Sequence, residues 1–172
     1  LSIRRQRQMC IRDRIYLFEP AVFEFIPPAR VYDFGFNAFP DMVAKGAPFY
    51  GFSLPGYWRD IGSAADYLAA QRDVLEGRVR ARPAGEQVRP GVWMGKGCAV
   101  DAQAELSAPV ALGEGCRVQA KASLGGGTCV GSHVEVGEGS WLWHTVVWQG
   151  AEVPAGARLE RAVVTAGGVF GG

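Results

Sequence analysis

From residue 94 the chain repeats every six residues. Met94, Val100, Leu106, Leu112, Val118, Leu124, Val130, Val136, Leu142 and Trp148 follow one another at that spacing without a break, and such a run dictates a repeat architecture before local propensity counts. Four residues after successive members come Cys98, Ala104, Val110, Cys116, Ala122, Thr128, Val134, Ser140 and Val146, all small or β-branched. A large residue that fills an interior and a small one that lets the chain turn describe a triangular tube with three repeats to a coil. On that register Met94, Leu112, Val130 and Trp148 stack in one interior column and Val100, Val118 and Val136 in another, about 4.8 Å apart. Cys98, Cys116 and Val134 make a third column, so these cysteines are expected to be buried packing residues rather than a disulfide or half a metal site. Gly95, Gly113, Gly125, Gly131 and Gly137 each follow a large residue, where a tight turn is expected to need a permissive backbone. After Trp148 the step shortens to five, Val153, Leu159 and Thr165 resume it, and the Gly-Gly ending reads as a frayed tail.

The pattern resembles the hexapeptide-repeat, left-handed parallel β-helix. The left-handed sense is implied by that resemblance, since the general rule for parallel crossovers favours the right-handed one. The expected β-helix covers residues 88–172 in about four coils, and residues 81–87 form a linker before it.

Charge excludes several partners. Residues 1–14 hold five arginines and one aspartate, so the remaining 13 basic and 16 acidic residues leave a mildly acidic body. Such a body has no electrostatic attraction to nucleic acid or anionic lipid. No apolar run reaches the length needed to cross a bilayer. Four cysteines without a CxxC pair fit reduced thiols and a cytoplasmic location. Residues 1–14 show neither a signal-peptide core nor an apolar period, and they are expected to be non-native or disordered, with authentic protein from Ile15.

Residues 15–80 read as mixed α/β. Short strands are expected at 15–18, 49–54 and 57–61, a short helix after Pro20, and another helical stretch ending near Gly46. Ser63 followed by Asp66 is a capping-box spacing, and Leu68, Gln71 and Leu75 make the apolar face of the helix that follows. This stretch has too few strands to close a core and is expected to be the trailing part of a larger α/β domain.

Four pieces stand in order here: Ile15-Tyr-Leu-Phe-Glu-Pro; Asp33-Phe-Gly followed by Phe39-Pro40; Gly56-Tyr-Trp-Arg-Asp-Ile-Gly-Ser; and Asp66-Tyr-Leu with Gln71-Arg-Asp-Val-Leu. Together, and followed by a hexapeptide β-helix, they resemble the sugar-nucleotidyltransferases, among them the mannose-1-phosphate guanylyltransferase type. The resemblance implies an enzyme that joins a nucleoside triphosphate to a sugar 1-phosphate with release of pyrophosphate, using Mg²⁺ held by two aspartates. It assigns Asp60 as the later metal-binding aspartate, a hard oxygen ligand at a strand end, and places Tyr57 and Trp58 near the sugar. The family's Gly-rich phosphate loop, base-reading residues and first metal aspartate are absent from these 172 residues. The chain is therefore expected to be the C-terminal part of such an enzyme and inactive alone.

Two other readings compete. A free-standing hexapeptide acyltransferase would use His144 or His133 as its base, although no long loop interrupts the repeat to build an acyl-donor cleft. A structural module would use the β-helix, with Trp141, Trp143 and Trp148, as a homo-oligomer interface. That role is compatible with nucleotidyl transfer.

Overall fold

The computed structural model describes residues 15–48, 50–53 and 55–171. The expectation for residues 1–14 lies outside them. The chain forms two compact units, divided between Pro55 and Gly56.

Among the described residues, the regular elements of the first unit are helical. A 3₁₀ turn runs over Pro20–Phe25 and a π-helical turn over Phe34–Ala38, leading directly into α1, Phe39–Ala44. The Asp33 carboxylate accepts the Phe36 N–H at 2.8 Å, satisfying an amide that the first turn would otherwise leave unpaired. The strand expected at 15–18 does not form, because no described residue of this unit offers it a ladder partner. Its aromatic side chains pack instead: the Tyr16 ring lies 4.9 Å from that of Phe39, and the Phe18 ring stacks on Phe34 at 5.2 Å. Val22, Phe39 and Met42 are the buried centre of this cluster.

The described part of 49–54, in the first unit, is not a strand either, and Phe49 and Leu54 lie outside the described residues; in the second unit the segment 57–61 is likewise not a strand. The helix α2, Ala64–Leu75, begins as its sequence demands. The Asp66 N–H donates to the Ser63 hydroxyl at 3.1 Å, and that hydroxyl donates to the Asp66 carboxylate at 2.6 Å.

The rest is a parallel β-solenoid. Its longest sheet orders β1 (Glu86–Arg89), β2 (Val92–Met94), β5 (Val110–Leu112), β8 (Thr128–Val130), β11 (Val146–Val147), β13 (Ala162–Thr165) and β14 (Gly168–Gly171). A second sheet orders β12 (Arg158–Glu160), β10 (Trp141–Trp143), β7 (Ser123–Gly125) and β4 (Glu105–Leu106), and a third β3 (Ala99–Val100), β6 (Arg117–Val118) and β9 (Glu135–Val136). The end strands β1 and β14 pair antiparallel with their neighbours, while the strands between are parallel. The glycine-rich end expected to fray is thus strand β14 as far as Gly171.

Val100, Val118 and Val136 align as expected and are continued by Val153. Met94, Leu112 and Val130 also align, but the residue opposite Val130 is Val147, not Trp148. Val147 is buried and Trp148 is 51% exposed. The missing residue therefore falls one corner earlier than the sequence pattern places it, between Leu142 and Val147, and a second falls between Leu159 and Val164, which displaces Thr165 from the interior column. At these shortened corners His144 and Arg161 adopt left-handed backbone, φ 51° and 50°. The Thr128 hydroxyl of the coil below supports the first of them by accepting the Thr145 N–H at 3.3 Å. Cys98 and Cys116 occupy the packing column, Cys116 buried as expected and Cys98 only partly so, both free, their thiols donating to the Gly113 and Gly131 carbonyls at 2.9 and 3.0 Å.

The glycines after the large residues serve close approach rather than backbone freedom. A Cβ on Gly113 would lie 2.5 Å from the Ser132 amide nitrogen of the next coil, and Gly95 and Gly131 repeat that collision with Glu114 and Gln149. The left-handed backbone sits elsewhere, for example at Gly139, φ +65°, where a Cβ would meet open space. Gly113→Ala is accordingly expected to cost about 1–3 kcal/mol through forced separation of two coils, more than Gly139→Ala, whose cost is backbone strain of about 1 kcal/mol. Equal losses in urea melts of the two variants would show that the coils yield to the methyl group.

α2 packs on the outer face of the long sheet. Leu68 is buried there with Val146 and Val163, flanked by Ala64, Tyr67 and Cys129.

Candidate functional site

The segment Gly56-Tyr-Trp-Arg-Asp-Ile-Gly-Ser enters α2, and one residue of that helix organises it. Asp73, 2% exposed, accepts the Tyr57 hydroxyl at 2.6 Å and the Arg59 Nε at 2.9 Å on one oxygen, and an Arg78 guanidinium nitrogen at 2.8 Å on the other. Arg59 Nε also donates to the Tyr57 hydroxyl at 3.0 Å. Arg78 in addition reaches Glu76 at 2.6 Å, and Glu76 accepts Arg72 at 2.6 Å. A carboxylate covered by the groups that bind it keeps its charge because each replaces a lost water.

The cluster sets protonation. The Tyr57 hydrogen bond, followed by those from Arg59 and Arg78, holds the Asp73 carboxyl below the ordinary aspartate value against the opposing effect of burial. The Arg59 guanidinium is pushed up by the same Tyr57 and Asp73 contacts. Because the Asp73 value is lowered on folding, its contribution to stability is present above the ordinary value of 3.8 and is lost as the pH falls below it through the native value. Asp73→Asn should therefore flatten the dependence of melting temperature on pH in the acid limb, from roughly pH 5 downward, while lowering stability at neutral pH. Parallel acid limbs in the two proteins would remove Asp73 from that role.

With Tyr57 and Arg59 tied to α2, Asp60 is left outside the cluster. It is exposed, and no hydrogen bond or ion pair holds its carboxylate among the described residues. Arg59, its neighbour in sequence, pairs with Asp73 instead. Trp58 is 51% exposed, while Tyr57, 44% exposed, has its hydroxyl engaged. Asp60 is a hard oxygen donor of the kind a divalent cation takes, but it stands as a single carboxylate: no group of three or more metal-ligating side chains occurs among the described residues. These residues could supply one ligand and could not hold a metal ion by themselves.

The sequence motifs contain Arg59 and Asp73 but do not announce their pairing, nor that of Asp73 with Arg78. The helix pattern gave no signal for it: at 100° per residue Asp73 lies on the side of α2 opposite the Leu68 and Leu75 face, and it is the chain before the helix that covers this carboxylate.

The two histidines sit at solenoid corners. His133 is exposed at φ 59°, and the buried Nε2 of His144 has no partner. Between β2 and β13 successive coils follow at 17 or 18 residues with no inserted loop, so the depression of about 240 Å³ beside His133 is formed by the coils themselves, between Gly115, Arg117, Val134 and Glu135.

Residues 5–77, the stretch that carries the Asp60 segment and α2, match the family described as Nucleotidyl transferase. The match begins inside the segment 1–14. Similarity to curated proteins extends through the solenoid. A UTP–glucose-1-phosphate uridylyltransferase of Synechocystis sp. is 33% identical over 156 residues, covering 90% of this chain and 40% of that protein. A mannose-1-phosphate guanylyltransferase of Mycobacterium tuberculosis is 31% identical, over 85% of this chain and 36% of its own length. A glucose-1-phosphate adenylyltransferase of Desulfitobacterium hafniense is 27% identical, over 80% and 34%. The chain thus spans 34–40% of the length of these relatives. No helix among the described residues is long and apolar enough to cross a membrane.

Proposed function

We propose that this chain is the C-terminal part of a sugar-1-phosphate nucleotidyltransferase, which joins a nucleoside triphosphate to a sugar 1-phosphate and releases pyrophosphate. The observation that carries the reading is the anchored motif: Tyr57 and Arg59 are fixed on Asp73 of α2, and Asp60 beside them is uncommitted. In the active protein Asp60 provides one ligand of a Mg²⁺ ion completed by residues outside this chain. When bound, that ion offsets the negative charge that accumulates on the phosphates. Trp58 and the Tyr57 ring face the sugar, and the solenoid joins copies into a homo-oligomer in the cytoplasm. Alone, the chain is inactive.

The relatives' names differ in nucleotide and in sugar. The motif resemblance favours mannose 1-phosphate and GTP. The test is a chimera in which this chain replaces the aligned segment of the Synechocystis relative. Pyrophosphate release is measured with GTP and mannose 1-phosphate, UTP and glucose 1-phosphate, and ATP and glucose 1-phosphate. Turnover of at least one pair is expected, and a folded chimera inert toward all three, beside an active parent, would overturn the reading.

A further inference from the structure

Within the second unit a cleft of about 450 Å³ opens between α2 and the outer face of the long sheet. That volume falls in the range of small-molecule sites. The Tyr67 ring from α2 and the Trp148 ring from the end of β11 stand 6.4 Å apart at 81°, forming a corner of two aromatic walls. Trp148 is half exposed. The Cys129 thiol donates to the Gln71 Oε1 at 3.9 Å, which leaves the Gln71 amide N–H groups and the remaining Oε1 lone pair for a ligand, and Gln149 adds a second carboxamide to the lining. None of the residues lining the cleft is charged, and burial pushes the Cys129 thiol up to about 12, so it too stays neutral.

These features select a ligand class. Without a cation in the lining, a phosphate or carboxylate would lose its hydration and gain no ion pair. Perpendicular rings make a corner rather than a slot, which suits a thick saturated ring better than a planar base. Each sugar hydroxyl is both donor and acceptor, and a carboxamide offers both in return. The C–H face of a pyranose covers an exposed indole as apolar surface does. We infer that the cleft between α2 and the solenoid is a binding site for an uncharged pyranoside, held by Trp148 and Tyr67 through its ring face and by Gln71 and Gln149 through its hydroxyls. Asp60, Tyr57 and Trp58 take no part in its walls, and the site stands whether or not the chain belongs to a nucleotidyl-transferring enzyme.

The test uses this chain with methyl α-mannoside, methyl α-glucoside and maltose as probes, read by tryptophan fluorescence and by saturation-transfer NMR, with glucose 1-phosphate as the charged comparison. Saturable binding of at least one neutral glycoside in the millimolar range is expected, with clearly weaker binding of the phosphate. Trp148→Ala and Gln71→Leu should each weaken binding about tenfold, the loss of roughly one good contact, while Trp141→Ala on another sheet leaves it unchanged. Melting curves of each variant separate lost binding from lost fold, and because Trp148 is exposed its replacement is expected to melt like the parent. If Trp148→Ala does unfold, Gln71→Leu decides. No saturation by any neutral glycoside, tighter binding of glucose 1-phosphate, or undiminished affinity in the folded variants would overturn the assignment.

Discussion

Val118→Asp should collapse the solenoid's stability, whereas Arg117→Ser on the same strand should leave it almost untouched. Val118 is 3% exposed and lies between Val100 and Val136 in an unbroken apolar column. A carboxylate placed there must shed its hydration with no cation or donor in the column, or else bind a proton to stay neutral. Either course costs several kcal/mol, on the order of 10 °C in melting temperature for a chain of this size. Arg117 points away from that column and is exposed, so its replacement should fall within about 0.5 kcal/mol. Side chains alternate faces along a strand, and a slip of one residue would exchange the two outcomes. Equal melting temperatures for both variants would therefore contradict the register itself.

Register was legible where each coil repeats the environment of the last, and it failed where two adjacent residues qualify equally. Val146, Val147 and Trp148 are all apolar, so spacing alone continues the six-residue step onto Trp148. The deciding fact is the corner before them, where Trp143-His144-Thr145 closes a turn that the coil below makes with Gly125-Gly126-Gly127 and Thr128. The indole of Trp143 lies over those glycines, with its Cζ3 only 2.4 Å from where a Gly125 Cβ would be. No periodicity announces such a packing choice. The role of the glycine column was hidden for a similar reason: a residue with ordinary φ is required to be glycine only by the coil above it.

Unequal legibility also marks the candidate site. Ser63 and Asp66 form a local cap, and three-residue spacing was enough to find it. Asp73 draws its meaning from Tyr57 and Arg59, more than a dozen residues away, and from Arg78 beyond the helix end. Only the bend of the chain back onto α2 assembles them. The strands expected at 15–18 and 57–61 had suitable composition, but a strand exists only with a partner, and the described residues supply none.

Asp60→Asn, made in the chimera with the Synechocystis relative, should retain the fold and lose turnover by about a hundredfold or more. The substitution is nearly isosteric and touches a side chain with no internal partner among the described residues, so neither packing nor a salt bridge is lost. Stability should move by less than about 0.5 kcal/mol. Asparagine nevertheless removes one negative charge from an oxygen proposed to face a divalent cation. If that charge contributes roughly 3 kcal/mol to the transition state, the rate falls by about two orders of magnitude. Asp73→Asn makes the necessary contrast. It loosens the anchor of Tyr57 and Arg59, so it should lower stability and weaken turnover through misplacement, without changing the Mg²⁺ concentration at half-maximal rate as strongly as Asp60→Asn does. Pyrophosphate release measured against Mg²⁺ in the parent chimera and both variants distinguishes a ligand from a support. Equal rates and equal metal dependence for Asp60→Asn and the parent would make Asp60 a surface aspartate and remove the metal from this end of the molecule.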